Sequence, residues 1–334
     1  MDLTTTYLGL ELKHPVVASA GPLSSTLDGI KRLEEGGAAA VVLFSLFEEQ
    51  IRHENESFDY LYEQGMERFP ESLSYFPALE DYHVGPEGYL DLVRSAAEAT
   101  DIPIIGSLNG ITDDGWTEYA REIEAAGARA LELNIFYIPA EVALSGREVE
   151  QRYVGIVSRV KRVLTIPVAV KLSPFFSSMG EMARRLVVAG ADGLVLFNRF
   201  YQPDFDLDAL EVRTTLELSS PGEIRLPLLW IALLHGRLEA SLAATSSVHM
   251  AEEVIKYLMA GADVAMTTSA LLRHGPSHIE TLVNDMTAWM ERRDYESIRQ
   301  MKGSMSQSKV EDPTSFERAN YIKLLESYES PYLT

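Results

Sequence analysis

The sequence predicts a closed (β/α)8 barrel, and three observations carry that prediction. A unit of amphipathic helix, Gly-Ala and short apolar strand recurs along the chain. The strands between the Gly-Ala units are equally short and apolar, the pattern of strands covered on both faces. Counted from the first strand near Val16, the units number eight, and eight parallel strands with helical crossovers close a barrel. An open doubly wound sheet would carry a glycine-rich phosphate fingerprint after its first strand. Ala18-Ser19-Ala20-Gly21-Pro22 is not such a motif.

The elements follow in order. Thr5 to Leu8 and Leu10 to Lys13, parted by Gly9, predict a hairpin ahead of the barrel. Pro15 to Ala20 is the first strand, and Ser24 or Ser25 can cap the helix that ends at Gly36-Gly37. Gly37-Ala38, Gly127-Ala128, Gly190-Ala191 and Gly261-Ala262 precede the strands Ala40 to Leu43, Ala130 to Leu133, Gly193 to Phe197 and Val264 to Met266. In each pair glycine ends the helix in the left-handed conformation. Ile102-Pro103 introduces Ile104-Ile105, Ile166-Pro167 introduces Val168 to Val170, and Ser241 introduces Leu242 to Ala244. A helix over 275–292 closes the barrel, and the polar tail is expected to add a helix around Phe316 to Tyr328.

Two segments interrupt the repeat at the barrel mouth. Residues 46–86 form a long acidic insertion after strand 2, rich in aromatics such as Phe47, Phe58, Tyr60 and Tyr82. Loops of that length are functional or make interfaces. Residues 199–226 form the second, with a β excursion expected over Thr214 to Leu218 and a turn at Pro221-Gly222. No linker divides residues 1–334, so one barrel domain is expected.

Composition narrows the function classes. A formal net charge of -21 repels phosphate backbones, which argues against nucleic acid as a partner. The absence of cysteine removes disulfides, thiolate metal sites and cysteine nucleophiles. No His/Asp/Glu group has metal-ligand spacing. The start Met1-Asp2-Leu3-Thr4 is unlike a signal peptide, and no apolar run reaches the roughly 20 residues of a membrane span. A cytoplasmic protein with a small-molecule substrate is the expectation.

Active sites of such barrels lie at the C-terminal ends of the strands. Those ends read Ser19, Ser45, Asn109, Asn134, Lys171, Asn198, Ser246 and Thr268. Asparagine also turns the chain after strands, yet three asparagines and a lysine directly after apolar runs make a polar ring. Lys171, between Val170 and Leu172, would present a fixed positive charge. Thr245-Ser246-Ser247 and Thr267-Thr268-Ser269 follow strands 7 and 8, where barrels bind phosphate through backbone N–H groups. Ser247 and Ser269 serve equally well as helix caps. Arg147, Arg199 and the histidines read as surface residues.

The residues now resemble a known family. Tyr7 to Gly21, Leu133-Asn134, Val170-Lys171-Leu172-Ser173-Pro174, Phe197-Asn198, Ala260 to Val264 and Ser269-Ala270-Leu271 are similar to the dihydroorotate dehydrogenase group of FMN-binding TIM barrels, over roughly residues 3–290. The resemblance implies an FMN-dependent oxidation of dihydroorotate to orotate or a related CH–CH oxidation, as in pyrimidine biosynthesis, by a homodimer. It places Ser19, Ala20 and Gly21 along the flavin, with Ser45 and Asn109 at strand ends beside it. Asn134 and Lys171 would contact the isoalloxazine, Asn134 and Asn198 the substrate. Ser246, Ser247, Thr268 and Ser269 would hold the phosphate.

Three departures are legible. The family usually has a lysine after strand 2, where this chain has Phe44 or Ser45. Its strand-4 loop reads like Asn-x-Ser-Cys-Pro-Asn, with Cys or Ser as base. Here Asn134-Ile135-Phe136-Tyr137-Ile138-Pro139 puts Tyr137 at the base position, and a phenol of unperturbed pKa ~10 needs strong activation to serve. Ser246-Ser247 replaces the usual Gly-Gly, and Thr268-Ser269 the usual Gly-Thr. Two other readings stay open: a Schiff-base lyase using Lys171, and a binding barrel that has lost its chemistry.

Overall fold

The computed structural model describes residues 1–50, 85–111, 116–199, 203–213 and 216–327. Eight parallel strands close a ring: β1 (Val16–Ala18), β2 (Val41–Val42), β3 (Ile104–Asn109), β4 (Ala130–Asn134), β5 (Val168–Leu172), β6 (Gly193–Leu196), β7 (Ser241–Ala244) and β8 (Val264–Thr267). Each pairs with the next, and β8 returns to β1. The predicted barrel is therefore present. The second strand resumes as Leu46–Phe47, which runs beside the end of β3. Residues 51–84, which hold most of the expected insertion and its aromatics from Phe58 to Tyr82, lie outside the described residues.

The Gly-Ala repeat has one physical cause. Gly37, Gly127, Gly190 and Gly261 have φ of 97°, 106°, 109° and 122°, where a side chain is strained and glycine is not. The alanine that follows donates its N–H to the carbonyl five residues back: Ala38 to Leu33, Ala128 to Ile123, Ala191 to Leu186, Ala262 to Tyr257. This satisfies a carbonyl the helix end would orphan and turns the chain into the next strand.

Alternation along each strand divides the core in two. Outward residues such as Leu131, Leu133, Val168, Val170, Leu194 and Leu242 pack against the helices. Inward residues near the strand starts are mostly small, among them Ala40, Ala130, Ala169 and Ala243. That leaves room for the N-terminal hairpin Thr5–Tyr7/Leu10–Leu12, whose Tyr7, Leu8 and Leu12 fill the barrel bottom. Gly193 is part of that fit, since a Cβ there would stand 2.6 Å from Leu8 Cδ2.

The excursion corrects one expectation. Its strands are Asp204–Asp206 and Glu211–Arg213, an exposed antiparallel hairpin upstream of the predicted site. Thr214 and Thr215 lie outside the described residues, and Leu216 to Ser219 belong to no strand. Ser219 instead gives its N–H to the Ser269 hydroxyl, 3.2 Å, and so docks on the barrel mouth. The closing helix spans His278–Arg292 and the tail helix Arg318–Glu326. Among the described residues no helix is long and apolar enough to cross a membrane.

Candidate active site

Strand register assembles the polar ring. Asn109 pairs with Asn134, and Asn134 with Lys171, so three neighbouring strands present these side chains in one row. Asn109 and Asn134 are the last residues of their strands, and Lys171 sits within β5, followed by Leu172. Alternation from outward-packed Val170 and Leu172 turns Lys171 inward, where it is 7% exposed. Its Nζ lies 3.4 Å from Glu132 Oε1 and 3.5 Å from Ser19 Oγ. Asn198 Nδ2 donates to Asn134 Oδ1 at 2.8 Å, which leaves the other two atoms of the paired carboxamides for a ligand.

A cavity opens above Lys171. Ser19, Ala20 and Gly21 form one wall, Phe197, Asn198 and Arg199 another, and Leu216, Leu218 and Ser219 roof it. Its far end is the two hydroxyl loops, from Thr245 to Val248 and from Met266 to Ser269. Thr268 Oγ1 donates to the Ser19 carbonyl at 2.9 Å and ties that end to the first wall. Arg199, expected on the surface, lines the cavity with its guanidinium bound to the Glu217 carbonyl and, at 3.1 Å, to the Glu223 carboxylate. His249 lies behind this rim, with Nε2 3.1 Å from Ser219 Oγ. Burial, with the charge of Arg273, holds His249 below the ordinary histidine range.

Neither serine of the strand-7 loop is a helix cap. The next helix, Ala251–Ala260, starts from Met250. Ser246 and Ser247 instead have φ of 74° and 63°, a conformation that costs a non-glycine residue roughly 1–2 kcal/mol. Both residues line the cavity, and the backbone N–H groups of such a turn are candidate anion donors. The Ser246 hydroxyl turns away to the Phe197 carbonyl at 3.2 Å, and Tyr257 holds the Ser246 carbonyl at 2.9 Å. The buried Ser247 hydroxyl has no hydrogen-bond partner among the described residues. Ser269, likewise, is the first residue of a helix rather than its cap. A phosphate thus finds backbone donors and an unused hydroxyl in the strand-7 loop, on a cavity that Lys171 and the Asn198 carboxamide also line. The residues present fit a flavin mononucleotide.

Other expected members stand apart. Ser45 is buried and hydrogen-bonded to Ser107 Oγ at 2.8 Å, below the cavity rather than lining it. Its neighbour Phe44 packs edge-on against Tyr89, so Ser45 is the inward residue where the family has lysine. Asn109 and Asn134 are in the row but not in the cavity wall; Asn134 is tied to it through Asn198, which does line it. Tyr137 is half-buried outside the cavity, with Arg152 Cζ 4.5 Å above its ring. The loop carrying it is anchored by Tyr153, which donates to the Ile135 carbonyl at 3.0 Å. Glu132 was hidden inside a run that reads as apolar strand; a lone carboxylate between Leu131 and Leu133 was the available signal.

Comparisons with known proteins agree with this geometry. The profile of the family described as dihydroorotate dehydrogenase matches residues 83–290. The chain is 25% identical over 303 residues to the dihydroorotate dehydrogenase B (NAD(+)) catalytic subunit of Methanocaldococcus jannaschii, covering 87% of this chain and 94% of that one. To the same subunit of Methanothermobacter thermautotrophicus it is 23% identical over 313 residues, covering 90% and 97%. To that of Thermoplasma acidophilum it is 26% identical over 310 residues, covering 90% and 98%.

Proposed function

The chain belongs to the dihydroorotate dehydrogenase family, and from that premise we propose that it is an FMN-dependent oxidoreductase acting on a CH–CH bond of a small carbonyl or dihydropyrimidine-like substrate. One observation carries the reading: buried Lys171 and the left-handed Ser246-Ser247 backbone line a single cavity. FMN bound there supplies the two-electron hydride chemistry that side chains lack.

The chain's own residues do the rest. Ser246, Ser247, Thr268 and Ser269 would hold the phosphate, and Ser19, Ala20 and Gly21 the edge of the cofactor. Lys171 would set a cation beside the bound cofactor, which would stabilise negative charge developing there. Asn134 Nδ2 and Asn198 Oδ1, one donor and one acceptor, would orient a carbonyl or amide of the substrate. Phe197 and the 216–219 roof exclude water.

The strand-4 loop carries Tyr137 where the family has its Cys or Ser base. Tyr137 lies under Arg152, outside the cavity, so proton removal is not assigned to it. Dihydroorotate itself is therefore not the substrate favoured by this site. The same observation supports a second reading, a flavin- or ligand-binding barrel without turnover. The ion pair with Glu132 engages the Lys171 amine, which argues against Schiff-base chemistry.

The visible spectrum of the purified protein tests the proposal. A yellow protein, or a colourless one that turns yellow and melts higher with added FMN, supports it. No colour and no thermal shift with FMN sinks it. Turnover with an artificial electron acceptor across a panel of dihydropyrimidines and unsaturated carbonyl pairs then separates enzyme from binding barrel.

A further inference from the structure

Glu132 occupies a place that packing alone would give to an aliphatic residue. Along β4, Leu131 and Leu133 face the helices while Ala130 faces the barrel axis, so Glu132 points inward, and it is 1% exposed. Oε1 reaches Lys171 Nζ at 3.4 Å. Oε2 has no hydrogen-bond partner among the described residues, and neither has the Tyr7 hydroxyl in the hairpin plug. The carboxylate makes itself felt by both buried phenols around it. Tyr7 is pushed well above the ordinary tyrosine range, by burial first and then by the charges of Glu132 and Asp263. Tyr89 is raised by burial and by Glu132, against the bond to the Ser107 carbonyl that lowers it.

A carboxylate so placed is costly unless a cation faces it. Among the described residues that cation is Lys171, whose only other hydrogen-bond contact is the neutral Ser19 hydroxyl. The dependence is mutual. Without Glu132, burial favours the neutral amine of Lys171, and the side chain loses the partner that fixes its direction.

We infer that Glu132 is the positioning residue of Lys171: its carboxylate keeps the lysine an ammonium and holds it at the cavity floor whether or not a ligand is bound. The inference deepens the flavin reading, because it makes the positive charge beside the cofactor a property of the empty site. It rests on that reading only for what the charge is for.

Cyanate tests it on the full-length protein without flavin. Isocyanic acid carbamylates neutral amines, and the extent at Lys171 is read by peptide mass spectrometry at neutral pH. Glu132→Gln keeps the volume and removes the charge; loss of an opposite charge this close corresponds to about tenfold faster modification or more. Glu132→Asp keeps the charge and is expected within about twofold of the wild type. Equal rates in the wild type and Glu132→Gln overturn the inference. Should Glu132→Gln fail to fold, thermal melting of two other variants decides. Lys171→Met alone leaves the carboxylate unpaired and lowers the melting temperature, and Glu132→Leu with Lys171→Met restores most of the loss. Strict additivity of the two substitutions overturns the inference. A protein that shows the coupling but never takes up FMN overturns the flavin reading and leaves the pair standing.

Discussion

Lys171 and Tyr137 illustrate how residue identity and residue placement part company. Both belong to the strand-end set that the sequence suggests. Lys171 reaches the cavity floor because it alternates inward from Val170 and Leu172. Tyr137 falls three residues beyond the end of β4, in a loop that Tyr153 draws toward the helix layer. The chemical consequence is testable at single positions. Lys171→Met is expected to lower turnover by about 10²–10³-fold, the usual cost of one preorganised charge at a site of developing charge. Tyr137→Phe is expected to change kcat by less than about twofold, where loss of a general base costs roughly 10²–10⁴. Steady-state kinetics of the two variants with one substrate checks both, and a large loss in Tyr137→Phe would make it the base after all.

The hairpin and the turn after it show what elements add. The plug works because Ala40, Ala130, Ala169, Ala243 and Gly193 leave a hollow that Tyr7 and Leu8 fill. His14 fixes the joint between plug and β1. Its Nε2 bonds the Gly37 carbonyl at 2.7 Å, and its Nδ1 accepts from Val16 N–H at 3.2 Å. The acceptor role at Nδ1 requires the neutral ring. Burial, the largest cause, brings the histidine from 6.5 down to about 4. The unfolded chain therefore binds a proton that the folded one refuses. Stability from this group is intact above pH 6.5, falls as the pH drops toward about 4, and levels off below it. The window corresponds to on the order of 3 kcal/mol. Urea unfolding near neutral pH and near pH ~4.5 is expected to show that much more loss in the wild type than in His14→Gln, which keeps the donor to Gly37. Parallel losses would mean that His14 titrates normally.

Charge is the property of the whole molecule. A net charge of -21 stores self-repulsion that packing must overcome. Salt shortens its reach, with a screening length of about 10 Å at ~0.1 M. The melting temperature is therefore expected to rise by a few degrees between roughly 20 mM and 500 mM sodium chloride, as differential scanning fluorimetry would show. A flat or falling curve would mean that local ion pairs such as Lys161–Asp192 and Arg185–Glu150 outweigh the general repulsion.

By itself the sequence determined the barrel. Gly-Ala after four of the helices and the short apolar runs are local signals, fixed by backbone sterics and by burial of both strand faces. It also placed Ser19, Asn134, Lys171 and Asn198 at strand ends, because the strands themselves were legible. Tertiary structure alone decided which way those side chains face. A strand buried on both sides carries no polar-apolar alternation, so Glu132 could not be told inward from outward until the ring closed. The left-handed turn at Ser246-Ser247 was equally silent, since Ser-Ser in isolation favours capping and only the bonds to Phe197 and Tyr257 impose another shape. The cavity is silent for the same reason. Its walls come from segments as distant as Ser19, Lys171, Ser219 and Thr268, and only closure of the barrel brings them within reach of one ligand.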